Sequence, residues 1–213
     1  MHIILIIDLR KYKIIGITGT MGSGKSTLLN KIRTCSPASI EVLSLDSMVK
    51  DLYTLDESFK NRCYKVFGKD NIVDSVSGMI DTKKVGILLF GDFNNTQKKA
   101  FLRYLYLKLF WNLSKKVLNA FIFQNRSLIV LEVPLLFETK SLLPFCFPTC
   151  TVYVENQEIV MERLKKRNDP SLEKKLKKQM SWQKKVELAD FSVKNEGTIE
   201  EAFDSFTKGL LQF

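Results

Sequence analysis

The chain has 213 residues, 45% hydrophobic and 26% charged, enough apolar material for one core with a small insertion or for two small cores, which excludes disorder over its whole length. Lys and Arg number 33 against 23 Asp and Glu, and the resulting net charge of +10 attracts anions: nucleotides, coenzymes and nucleic acid. Most of the excess is Lys, whereas readers of duplex nucleic acid favour the planar fork of Arg, and a solvated basic surface accounts for the same excess.

In chain order, the apolar run Ile3 to Ile7 ends at Asp8 and is too short for a signal-peptide core or a membrane span. It suits an extra edge strand, the tip of an organellar targeting segment, or a start placed too early. Ile14 to Thr18 predicts a buried strand, followed by a Gly-rich turn and a helix from about Lys25 to Arg33. Pro37 interrupts, and Ile40 to Leu45 predicts a second strand ending at Asp46. From about Ser47 to Phe123 the spacing is helical. The stretch Phe101 to Phe121 is apolar nearly all round, the pattern of a helix buried on several sides or lining an apolar pocket, with core packing expected.

Leu128 to Leu131 predicts an aliphatic strand ending in Glu132, and Thr151 to Val154 another. A charged helical region from Ile159 to Lys185 is broken at Asp169 and Pro170. Phe191 to Val193 predicts a last strand and Ile199 to Leu211 a closing helix. Strands alternating with helices predict an α/β fold, a parallel sheet flanked by helices, with no internal repeat. The four cysteines, Cys35, Cys63, Cys146 and Cys150, have one histidine in the whole chain, His2, to accompany them. They read as reduced, partly buried thiols of a cytosolic protein and not as a zinc site or a disulfide framework.

The strongest motif is GITGTMGSGKST, in which Gly19, four residues, Gly24, Lys25 and Ser26 make a Walker A pattern between a strand and a helix. Glycines at 19, 22 and 24 let the backbone curl so that N–H groups face an anion at the positive end of a helix dipole. This makes Gly19, Thr20, Met21, Gly22, Ser23, Gly24, Lys25, Ser26 and Thr27 the expected phosphate-binding residues of a P-loop NTPase that uses ATP and Mg2+. Lys25 would reach the β- and γ-phosphates, and Ser26 would ligate the metal together with Glu132 at the carboxyl edge of the sheet. The alternative is a merely tight strand-to-helix turn.

A P-loop alone does not name a function. The chain lacks the Asn-Lys-x-Asp signature of guanine readers and is short for an oligomeric motor ATPase. Asp46, 20 residues after Ser26, is expected to face the same crevice, where a carboxylate can orient an acceptor hydroxyl and take its proton. Its alternative role is an N-cap for a helix over Met48 to Tyr53.

From about Tyr12 to Leu210 the chain resembles the dephospho-coenzyme A kinases. The resemblance rests on GITGTMGSGKST, on Asp46 with Leu52 and Tyr53, on Phe67 and Gly68 followed by GMIDTKKVGILLFGD, on EVPLLFE from Glu132 to Glu138, on ERLKKRND from Glu162 to Asp169, on Gln179, and on ADFSVKNEG from Ala189 to Gly197. It implies a nucleotide-binding core over 12–46 and 124–213 with a lid at about 159–185, and a helical coenzyme-binding insertion over 47–123. It further implies ATP and Mg2+ as cofactors and 3'-dephospho-coenzyme A as substrate. The catalytic residues it implies are Asp46 facing the ribose 3'-hydroxyl, Lys25, and the lid arginines Arg163 and Arg167; Asn195 and Gly197 become the adenine-side contact. The expected protein is cytoplasmic, a monomer or weak oligomer, with no nucleic-acid or membrane partner.

Two departures stand out. The family's Asp-x-Asp is Ser44-Leu45-Asp46 here, and its His-Pro pair is replaced near Leu107 and Lys108. The Lys pairs at 165–166, 174–175, 177–178 and 184–185 read as guides for phosphate or as a solvated basic face. The rival readings are another small-molecule or nucleotide kinase, and a basic nucleic-acid-binding module holding ATP as a structural ligand.

Overall fold

The computed structural model describes residues 13–91, 94–165 and 179–213; the run Ile3 to Ile7 and the break expected at Asp169 and Pro170 lie outside them. The described residues form two units, one of those up to Ser44 together with Asn119–Phe213, the other of Leu45–Leu118.

The first unit is built on five strands: β1 (Lys13–Gly19), β2 (Ile40–Ser44), β3 (Leu128–Glu132), β4 (Thr149–Tyr153) and β5 (Phe191–Lys194). They lie in the order β2-β3-β1-β4-β5 with every neighbouring pair parallel. Parallel strands need crossovers that cover the faces of the sheet, so their sequences run apolar without alternation, and β1 is buried continuously from Ile15 to Gly19. Ile15, Ile17, Val42, Val130, Cys150, Val152 and Val193 form the sheet's buried contribution to one core. Helices α1 (Lys25–Cys35) and the closing helix Ile199–Leu210 add Leu28, Leu29, Ile32, Ala202 and Phe206. Burying each large apolar side chain of this set is worth about 1.5–3 kcal/mol relative to leaving it in water. The closing helix starts in a capping box, with the Thr198 hydroxyl accepting from Glu201 N at 3.2 Å and the Glu201 carboxylate accepting from Thr198 N at 3.0 Å.

The register carries the function. Ile17 and Ser44 both stand opposite Glu132, so the carboxyl ends of β1, β2 and β3 share one edge of the sheet. The order puts β1 between β3 and β4, and ligands of open α/β sheets bind outside the carboxyl edge where the strand order reverses.

The second unit holds α2 (Leu45–Leu55), α3 (Glu57–Phe67), α4 (Lys69–Ile72), α5 (Thr82–Phe90) and α6 (Asn95–Leu118). Its core gathers around Phe59, which meets Tyr53 edge-on at 5.0 Å, Phe101 at 5.9 Å and Tyr104 at 5.8 Å. The expected burial of the aromatic helix on several sides is corrected here. Along α6 only Phe101 and Leu113 are buried, while Tyr106, Leu107, Phe110 and Trp111 stand 59, 60, 54 and 60% exposed. A helix of 24 residues is about 36 Å long, more than one face of a small helical core can cover. Leu102, Tyr106, Leu107 and Phe110, with Lys99 and Arg103, line a shallow groove of about 500 Å³.

Cys35 is exposed, and Cys63, Cys146 and Cys150 are buried free thiols. Burial pushes Cys63 up to about 12 and Cys146 up to about 11, and raises Cys150 as well, so these three are poor nucleophiles at neutral pH. Among the described residues no helix is long and apolar enough to cross a membrane, and no three His, Cys, Asp or Glu side chains gather into a metal cage.

Candidate active site

Strand β1 ends at Gly19 and α1 begins at Lys25, and the backbone between them turns through left-handed conformations at Gly22 (φ 79°) and Gly24 (φ 80°). At Gly24 the constraint is also one of space, because a Cβ there would overlap the Asn195 amide. Gly24 is the residue preceding α1 and supplies no side-chain cap, and the first turn of α1 carries no acidic residue. The positive end of an 11-residue helix is therefore left for an anion to complete. Ser23 is fully buried in the loop with its hydroxyl unpartnered among the described residues, a polar group that a bound phosphate can satisfy.

Lys25 is half-buried and its ammonium donates to the Gly19 and Thr20 carbonyls at 2.8 and 3.1 Å, which lays the charge across the mouth of the loop. Ser26 and Thr27, the next residues of α1, are exposed. Glu132, only 6% exposed, accepts from the Ser44 hydroxyl at 2.6 Å, so the residue that stands in place of an acid at the end of β2 fixes the carboxylate at the end of β3. Mg2+ binds through one or two carboxylates plus substrate phosphates, so a single buried carboxylate such as Glu132 at the carboxyl edge of the sheet suits it better than an all-protein cage would.

Three further elements reach the loop. Helix α8 (Gln157–Lys165), reached after the short α7 (Leu136–Thr139), sets Val160 and Leu164 against Gly22, and Arg163 donates to the Gly22 carbonyl at 3.4 Å. Asn195, buried just past β5, donates its amide to the Ser23 carbonyl at 2.7 Å, and Gly197 is exposed two residues on. Gln179 accepts from Met21 N at 3.0 Å. Arg167 lies outside the described residues. Asp46 belongs to the other unit, as the exposed second residue of α2. That helix already runs from Leu45, so Asp46 sits inside its first turn and the alternative of an N-cap for a helix opening near Met48 is overturned.

Sequence reasoning missed one buried charge. Helix α9 (Trp182–Leu188) carries Lys185, which is fully buried and not part of a solvated basic face. Its ammonium pairs with Glu138 at 2.8 Å and donates to the Pro134 carbonyl at 3.2 Å and the Thr18 hydroxyl at 3.3 Å. The only hint was its place one turn from Trp182 on a short amphipathic helix.

A phosphate-gripping loop at this sheet edge, with a buried acid on the neighbouring strand, is common to many kinases, and comparison with known proteins narrows the choice. A family model described as dephospho-CoA kinase matches residues 13–201. A dephospho-CoA kinase of Aquifex aeolicus is 30% identical over 198 residues, covering 92% of this chain and 95% of its own. One of Arabidopsis thaliana is 28% identical over 205 residues, covering 94% and 83%. Among solved structures, a Thermus thermophilus protein is 25% identical and superposes with a TM-score of 0.75, covering 94% of this chain and 97% of its own. The dephospho-CoA kinase of Campylobacter jejuni, 20% identical, has the same fold at a TM-score of 0.62, covering 93% and 96%. With the match running from the first described strand into the capped closing helix, the chain belongs to the dephospho-CoA kinase family.

Proposed function

We propose that this chain transfers the γ-phosphoryl group of ATP to the ribose 3'-hydroxyl of 3'-dephospho-coenzyme A, forming coenzyme A and ADP. The observation that carries the reading is the uncapped start of α1 behind a left-handed glycine turn, in a chain matched by the family model over residues 13–201. The hydroxyl oxygen bonds to the γ-phosphorus as the bond to the β-phosphate oxygen breaks, and the hydroxyl proton leaves to a base. Backbone N–H groups of Gly19 to Ser26 and the Lys25 ammonium bind the phosphates and stabilise charge on the equatorial oxygens, and Arg163 beside Gly22 supplies a second cation there. Arg167 has the same role by resemblance. Ser26 and Glu132 would hold Mg2+, which when bound neutralises phosphate charge. Asn195 and Gly197 lie on the adenine side.

Asp46 is the proposed base and aims the acceptor hydroxyl. The groove along α6, apolar and flanked by Lys99 and Arg103, suits a pantetheine arm and the coenzyme's phosphates. The protein acts in the cytoplasm as a monomer or weak oligomer, with no nucleic-acid or membrane partner.

The test is a substrate panel with purified protein, ATP and magnesium. ADP formation that depends on dephospho-coenzyme A supports the reading, and turnover only with a nucleoside or nucleoside monophosphate rejects it. Within that assay Asp46→Asn is expected to lower kcat by about 10²-fold or more while the Kd for ATP stays within twofold, about the range for loss of a positioned acid or base. An unchanged kcat would remove Asp46 from the chemistry.

A further inference from the structure

The phosphate loop is held in part by Gln179, a residue to which the reaction assigns no part. Gln179 accepts from the N–H of Met21, and Lys25 donates to the carbonyl of Thr20. These two atoms belong to one peptide unit, which is planar and trans, so its N–H and C=O point in opposite directions. Gln179 and Lys25 therefore hold the two ends of the same plane, and the Gln179 end fixes where the carbonyl presents itself to the Lys25 ammonium. If that plane turned, Lys25 would lose one of its two loop carbonyls and the direction in which it approaches phosphate.

Gln179 is fixed in turn by its neighbour. Met180 N donates to Glu138 at 3.1 Å, and Glu138 pairs with the buried Lys185 at 2.8 Å. Lys185 also donates to the Thr18 hydroxyl, one residue before Gly19, and Thr18 donates to the Pro134 carbonyl at 3.1 Å. The Lys185 carbonyl accepts from the buried Thr151 hydroxyl of β4 at 2.9 Å. The segment 179–185 is thus clamped to β1, to β4 and to the turn after β3, and from that clamp it reaches the loop through a single side chain. A buried ion pair is weak evidence of stabilisation, since apolar residues of the same size hold a fold as well. Its hydrogen-bonded links to Thr18 and to Met180, the neighbour of Gln179, suit a positioning task.

We propose that Gln179, held in place by the Glu138–Lys185 pair, is a positioning residue that sets the Thr20–Met21 peptide plane and through it the approach of Lys25 to ATP. The inference rests on the reading of Gly19 to Ser26 as the ATP site, and it concerns affinity for the nucleotide alone. The proposed acceptor site is built on Asp46 and the groove along α6, so the KM for the acceptor serves as the control.

Two variants of the full chain test it: Gln179→Met, which keeps the side-chain length and removes the acceptor, and Glu138→Leu with Lys185→Met, which replaces the ion pair by apolar groups and avoids a lone buried charge. Calorimetry with ATP and magnesium gives the Kd, and amide hydrogen exchange of the peptide spanning Gly19 to Gly24 is followed without nucleotide. Both variants are expected to weaken ATP binding by about five- to tenfold, the worth of one well-placed hydrogen bond, with faster exchange in the loop. In the kinase assay the rise appears in the KM for ATP, while kcat and the KM for dephospho-coenzyme A stay within twofold. Unchanged ATP affinity, unchanged loop exchange, or an equal rise in both KM values each overturns the brace. Failure of the wild type to phosphorylate dephospho-coenzyme A leaves calorimetry and exchange readable and counts against the substrate assignment alone.

Discussion

Lys25→Ala is expected to reduce kcat/KM for phosphoryl transfer by about 10³-fold or more, the scale on which removal of a charge-stabilising donor acts in a water-excluded site. The side chain has two tasks that alanine cannot perform. In the proposed reaction it carries the charge that approaches the β- and γ-phosphates, and it ties the Gly19 and Thr20 carbonyls together across the loop. Arginine should not rescue it. The planar guanidinium needs a fork of acceptors, whereas the loop offers two main-chain carbonyls about a compact ammonium. Global stability should fall by no more than about 1–2 kcal/mol, because the group is half-buried and the bonds lost are local. Initial rates and the Kd for ATP separate the two tasks. A variant that kept more than a tenth of wild-type kcat/KM would take Lys25 out of the transfer step.

Lys185→Met is expected to have the largest effect on stability, a loss of about 3–5 kcal/mol from stranding the Glu138 carboxylate without its cation. For a chain of this size that lowers Tm by about 10 °C. Lys185 is fully buried, and the Glu138 side chain is only 17% exposed, so water cannot take over the role of the ammonium. Adding Glu138→Leu to the same background should recover most of the loss, since the penalty lies in the unpaired charge and not in missing volume. Thermal and urea unfolding of the single and double variants measure this. If Lys185→Met unfolded within 1 kcal/mol of wild type, the pair would not be held as tightly as its geometry says. Stability and function then separate cleanly, because the double variant should regain Tm and still bind ATP weakly.

The phosphate loop was legible in the sequence because its demands fall on the backbone. Left-handed turns at Gly22 and Gly24 admit almost no other residue, and the aliphatic run before them had to be a strand covered on both faces. Glu132 was legible for a related reason, since a parallel strand of four aliphatics delivers its last side chain to the carboxyl edge. Lys185 was not legible. Lysine is almost always solvated, and only tertiary partners far away in sequence, Thr18, Pro134 and Glu138, turn it inward. Gln179 was noticed through resemblance, but its bond to Met21 spans 158 residues and leaves no local pattern. The aromatic helix misled in the opposite direction, because hydrophobicity all round α6 reports composition and not how much partner surface exists to cover it.

The distribution of the thiols offers a spectroscopic handle. A maleimide dye would meet one accessible sulfur, Cys35, the other three being enclosed and, through burial, reluctant to ionise. That sulfur ends the same helix whose beginning follows the left-handed glycine turn, about 16 Å away along 11 residues. A fluorophore there sits on the rod whose far tip is the proposed nucleotide site, and no residue need be changed to install it.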